Sequence, residues 1–170
     1  MRPEDLDLEN PKNRTYARLV LARRDITEAY RIVRYVINRI ARPNDPLFDP
    51  LSCAAVIAYS RPFISTRGYP GLPKRYKSFD SAQLSALHGE IIRLRNTCVA
   101  HSDEDVNKVF LRPAKEGGSS GGGSKAARTY GGIRSRGILL SAFPVFKDLC
   151  EHQLAELKAH IGEQEKLLFT

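Results

Sequence analysis

The sequence predicts an all-α protein, an antiparallel up-and-down bundle of four main helices with an irregular segment over 102–140. Apolar residues recur at alternating spacings of three and four along separate stretches, the signature of helices with one buried face. Loops rich in proline, glycine or polar residues divide these stretches, which favours neighbours that double back on each other. With 170 residues, 42% hydrophobic and 27% charged, the chain is long enough to bury one core without disulfides or metals.

Residues 1–12 read as a polar lead ending in Pro11. A first helix is expected over 13–41, with Ile26, Tyr30, Val33, Ile37 and Ile40 as its apolar stripe. Arg14, Arg18, Arg23, Arg24, Arg31, Arg34 and Arg39 lie on its other faces. ARPNDPLFDP (41–50) stops it, because proline lacks the amide donor and clashes with the preceding turn.

A second helix is expected over 50–61, with Pro50 starting it and the small and apolar run LSCAAVIAYS packing closely. Arg61-Pro62 ends it, and FISTRGYPGLPKRYKSF follows as a basic, aromatic loop. The third helix is placed over 81–101, with Asp80 as N-cap and Gln83 completing a capping box. Leu84, Leu87, Ile91, Leu94 and Cys98 form its stripe.

In 102–140, VNKVFLRP and RGILL either pair as short strands or cover the bundle as coil. GGSSGGGS (117–124) has the composition of a flexible linker. It reads either as an engineered splice in place of a longer loop or as a natural Gly/Ser loop, and carries no chemistry. The last helix is expected over 142–168, capped by Ser141 with Pro144 in its first turn. Phe146, Leu149, Cys150, Leu154, Leu157, Ile161 and Leu168 line one side. The whole reads as a single domain over 1–170.

The net charge of +8 favours polyanionic partners. Cys53, Cys98 and Cys150 are dispersed among apolar residues without ligand spacing and read as reduced, buried thiols. His152 and His160 lack an acidic ligand set, so no metal and no cofactor are expected. No apolar run approaches the roughly 20 residues of a membrane helix, and the polar start is not a signal peptide, so a cytoplasmic protein without membrane contact is expected.

The most informative stretch is LRNTCVAHSDED (94–105). Arg95 is followed by Asn96, and His101 comes after five intervening residues. This pattern, near the end of a helix in an all-helical chain, resembles the signature of the HEPN superfamily. The ending AHSD (100–103) and the segment AYSRPF (58–63), which contains Arg61, are also similar to members of that family. The resemblance is sharp over about a dozen residues and loose over the bundle pattern.

It implies a metal-independent endoribonuclease acting as a homodimer. Arg95 and His101 of both subunits would line one composite cleft, in a toxin–antitoxin or anti-phage setting with an antitoxin protein as a further partner. The residue types suit the chemistry: histidine takes or gives a proton near neutrality, while arginine stays charged and matches phosphate oxygens with a planar fork.

On a straight helix six steps of ~100° put Arg95 and His101 about 120° apart, so the helix must loosen between them or a second subunit must contribute. Asn96 is a candidate to orient His101 or contact phosphate. Arg61, His88, Arg67, Arg75 and Lys77 are candidate RNA contacts, with Tyr69 and Tyr76 as candidate stacking partners.

Each has an ordinary structural alternative. His101 would extend the stripe as a core histidine, Arg95 would pair with Glu90 or Asp103, and His88 would be structural. Arg61 would complement a helix C-terminus. Two other functions fit the same residues: a non-catalytic HEPN-like module binding RNA or a nucleotide, and a helical dimerisation or interaction protein.

Overall fold

The computed structural model describes residues 7, 9–65, 70–99, 107–112, 130–135 and 137–169; for 96–99, both strands and 169 only the backbone is described. The helices are α1 (Pro11–Arg39), α2 (Phe48–Ser60), α3 (Ala82–Val99) and α4 (Phe143–Phe169). They form an all-α helical bundle. None of the described helices is long and apolar enough to cross a membrane.

α1 begins where its sequence supplies both an acceptor and a missing donor. The Asn10 side chain accepts from the Lys12 amide at 3.0 Å, and Pro11 occupies the first turn, where its lack of N–H costs nothing. The buried face of the helix runs through Leu19, Ala22, Ile26, Ala29, Val33 and Val36. Ile37, expected in this stripe, is exposed, and Val36 takes the buried place. The buried positions step 19, 22, 26, 29, 33 and 36, so the intermediate places fall to Ala29 and Val36, one residue before Tyr30 and Ile37.

α2 starts at Phe48, not at Pro50, which sits inside the first turn with Asp49. Ala55 and Ala58 are fully buried on α2, as are Ala22 and Ala29 on α1, and the two helices pack against each other. Small side chains on both let the axes approach closely. The polypeptide runs back along α1, so that Arg61 at the end of α2 reaches Glu28 and Arg18 donates to the carbonyl of Pro62.

α4 lies antiparallel to α1. Tyr16 donates to Glu165 at 3.2 Å and Tyr30 donates to Glu151 at 2.9 Å, so the fourteen-residue step on one helix is matched by the reverse step on the other. Phe143, Phe146, Leu149, Cys150, Leu157 and Ile161 are buried; Leu154 and Leu168 are half-buried. Ser141, expected as a cap, lies inside a short 3-10 helix (Leu140–Ala142) that leads into α4.

α3 is started by Ser81, whose hydroxyl accepts from the Leu84 amide at 3.4 Å, one residue beyond the expected cap Asp80. It joins the bundle through rings. His88 meets Phe63 with centroids 4.7 Å apart and Tyr59 at 5.8 Å, while Tyr59 stacks edge-on against Phe146 at 5.5 Å.

The chain forms two compact units: residues 1–98 with 137–170, and residues 99–136. The second contains a two-stranded antiparallel hairpin, β1 (Asn107–Arg112) and β2 (Tyr130–Ser135), in register from Asn107 opposite Ser135 to Arg112 opposite Tyr130. The strand within VNKVFLRP therefore pairs with YGGIRS. Of RGILL, residues 137–140 follow the other expectation and cover the bundle, with Ile138 buried. Gly131 and Gly132 stand opposite Leu111 and Phe110. The linker-like segment 117–124 and residues 101–106 lie outside the described residues.

Candidate functional site

Arg95 occupies the last turns of α3, one residue after Leu94, which is buried in the core, and four after Ile91, which is fully buried. Its side chain is half-buried, at the margin between the core face and the surface of the helix. Asn96 follows within the helix, but its side chain lies outside the described residues, and so does all of His101.

His88, a candidate RNA contact, is placed in the core. Its Nδ1 and the Tyr59 hydroxyl are joined by a 2.9 Å hydrogen bond, and rings of Tyr59, Phe63 and Phe79 surround it. Burial, with the Lys77 cation as the lesser cause, lowers its pKa from 6.5 to about 4. A neutral, enclosed imidazole neither touches a strand nor carries protons near neutrality, so His88 is a structural residue. Its spacing from Arg95 places the two near one line of the helix. The core boundary falls between them.

Arg61 stands at the junction of α2 with a short 3-10 helix (Arg61–Phe63). Its guanidinium lies 2.9 Å from the Glu28 carboxylate and 3.8 Å from that of Asp25. Asp25 is buried and also meets Arg24 at 3.1 Å. Arg61 thus ties the end of α2 to α1, while about half of its side chain faces solvent.

Beside it, an open groove of about 760 Å3 follows one side of α1, lined by Arg23, Arg24, Thr27, Glu28 and Arg31. Counting Arg61, four guanidinium groups face two carboxylates along this stretch. Helical spacing puts Arg24, Thr27, Glu28 and Arg31 on one flank of α1, whereas the arrival of Arg61 there depends on the packing of α2.

Arg75 and Lys77 are exposed on a second 3-10 helix (Lys74–Lys77). Arg75 lies over the Tyr76 ring, 5.0 Å from its centroid. Tyr76 itself is buried. Its hydroxyl and His160 Nδ1 are 2.8 Å apart, and its carbonyl accepts from Gln153 at 2.7 Å. The ring is committed to the core, which removes it as a platform for a nucleobase. Arg67 and Tyr69 lie outside the described residues.

Comparison with protein-family models, curated proteins and solved structures returns no match.

Proposed function

We propose that this chain is a metal-independent endoribonuclease of the HEPN type, acting as a homodimer. The observation that carries the reading is Arg95 near the end of the third helix of an all-α bundle, with His101 six residues on. The excess of positive charge and the guanidinium-lined flank of α1 add to it, since both favour a polyanion.

The chemistry follows from the residue types. The 2′-oxygen of one nucleotide attacks its own 3′-phosphate, a new O–P bond forms and the bond to the 5′-oxygen of the next nucleotide breaks. The 2′-hydroxyl proton leaves to a base, and the departing 5′-oxygen takes one from an acid. His101 supplies proton transfer in this scheme, and the two copies in a dimer allow one to act as base and the other as acid. Arg95 stabilises the charge that builds on the phosphate oxygens. The products are a 2′,3′-cyclic phosphate and a 5′-hydroxyl.

The test is cleavage of labelled RNA by the full chain in EDTA, with product ends identified. Arg95→Ala and His101→Ala are expected to lose at least about a hundredfold in rate, the usual share of a general acid–base group, while keeping the helical spectrum. Undiminished cleavage in both variants overturns the reading. The arginine-lined groove on α1 favours one second reading, a non-catalytic RNA-binding module, which predicts salt-sensitive binding without product.

A further inference from the structure

We infer that the cavity between the first turns of α1 and the 70–76 segment is a binding site for one phosphate group. It rests on the cavity alone and not on cleavage at Arg95 and His101.

The cavity measures about 160 Å3 and is lined by Arg14, Arg18 and Arg75 over a floor that includes Leu19, Leu72 and Tyr76. Pockets for cofactors and drug-sized ligands run to ~300–1,000 Å3, so this one suits a single small group. Three guanidinium groups on one small cavity favour a dianion among them. Planar forks of N–H donors match the oxygens of a phosphate. The apolar floor limits water and strengthens those bonds.

The walls are held in place before any ligand arrives. Arg18 donates to the Pro62 carbonyl, which fixes one guanidinium against the short 3-10 helix after α2. The Leu72 amide donates to the same carbonyl at 2.8 Å, and the Gly71 amide donates to the Ser65 hydroxyl at 3.2 Å. Arg75 rests on the face of Tyr76, and Tyr76 is anchored to His160 and Gln153 of α4. Donors fixed in this way lose little freedom on binding.

A free nucleotide or inorganic phosphate and the backbone of an RNA strand present the same group. The test titrates the full chain with adenosine monophosphate and inorganic phosphate, read by phosphorus NMR, and with a short 2′-O-methyl RNA that cannot be cut, read by anisotropy. Arg14→Gln and Arg75→Gln remove exposed side chains, so the fold is expected to persist, as checked by circular dichroism. Each is expected to weaken phosphate binding about tenfold, while Arg34→Gln, on α1 outside the cavity, leaves it unchanged.

If RNA binding falls with the same variants, and its salt dependence drops by ~0.7 per arginine, the strand is the source. If only the small phosphates respond, the source is a free nucleotide or phosphate. Failure of either small probe to bind, or equal binding by parent and both cavity variants, overturns the proposal. A chain that binds phosphate here yet cuts no RNA upholds the cavity and sinks the ribonuclease reading.

Discussion

The Tyr59 hydroxyl and His88 Nδ1 meet at 2.9 Å inside the core, and this single hydrogen bond ties the end of α2 to the middle of α3. Protonating the ring would place a cation in this enclosed site, which burial disfavours. In the unfolded chain His88 takes up a proton near 6.5; in the folded chain burial defers that to about 4. The unfolded state therefore binds more protons across this interval. Stability is fully present above about pH 6.5 and is lost as the pH falls toward 4, by up to roughly 3 kcal/mol. Urea midpoints measured between pH 4 and 8 are expected to fall on the acid side. His88→Gln keeps a polar partner for Tyr59 and should flatten that dependence. An unchanged slope in the variant would remove His88 as its source.

Arg61 carries a different kind of bond. Asp25 is almost fully buried and draws on both Arg24 and Arg61, and Arg61 also holds Glu28. Removing Arg61 leaves a buried carboxylate with one less cation, at a cost of ~1–3 kcal/mol. Removing exposed Glu28 costs less than ~1 kcal/mol. Arg61→Ala is thus expected to lower the denaturation midpoint clearly, and Asp25→Asn in the same chain should recover part of the loss. Equal midpoints for Arg61→Ala and the parent would show that the ion pairs are incidental. The same variant measured for RNA affinity at two salt concentrations separates its structural part from any contact with phosphate.

The helices were legible because their amphipathic period is a local property, and Leu94, Ile91, Phe146, Leu149 and Leu157 are buried as their spacing requires. What the spacing cannot resolve is a phase error of one residue, which exchanged Ile37 for Val36. It also cannot choose between adjacent cap residues such as Asp80 and Ser81. Spacing also leaves RGILL open between a strand and a cover on the bundle, because Ile138 satisfies a helix bundle as readily as a sheet. At the candidate site, His88 and Tyr76 were ambiguous in sequence because histidine and tyrosine serve equally well in a polar surface and in a hydrogen-bonded core. Only the neighbours Tyr59, Phe63, Phe79, His160 and Gln153, distant in sequence, decide between the two. Arg14, Arg18 and Arg75 appeared as scattered charges, since their meeting depends on the path of the 70–76 segment.

Arg95 invites a finer test than its removal. Lysine at this position retains the charge and loses the planar fork. If the guanidinium grips two phosphate oxygens in the transition state, Arg95→Lys should keep RNA affinity within about twofold and lose about tenfold or more in turnover. Loss of affinity with turnover unchanged would assign Arg95 to substrate binding alone. Single-turnover rates at saturating enzyme distinguish the two outcomes.

The pair Tyr30–Glu151 bridges α1 and α4 at the surface, and its hydrogen bond, with Lys147 assisting, lowers the pKa of the Glu151 carboxyl. Exposed pairs of this kind contribute less than ~1 kcal/mol. Phe146, fully buried between Tyr59 and Phe143, leaves a cavity when truncated and costs ~3–5 kcal/mol. Glu151→Gln should therefore shift the thermal midpoint only slightly, and Phe146→Ala should bring the bundle close to unfolding. Comparable shifts would mean that the helices are held by their polar edges and not by the core.

Gly71 gives the sharpest connection between packing and binding. A methyl group at this position would stand 2.6 Å from the Phe63 carbonyl oxygen and 3.0 Å from its carbon, both backbone atoms that no side-chain rotation can move aside. The 70–73 segment must then lift from the 3-10 helix, breaking or stretching the bond from the Leu72 amide to Pro62. Overpacking of this kind costs ~1–3 kcal/mol. The same displacement separates Arg75, carried on this segment, from Arg14 and Arg18, which are fixed on α1. Gly71→Ala is therefore expected to lose phosphate affinity with all three arginines still present, and to do so at temperatures where its helical spectrum matches that of the parent. Retained affinity alongside a lowered melting temperature would show that the segment relaxes elsewhere and that the spacing of the three guanidinium groups does not depend on this close approach.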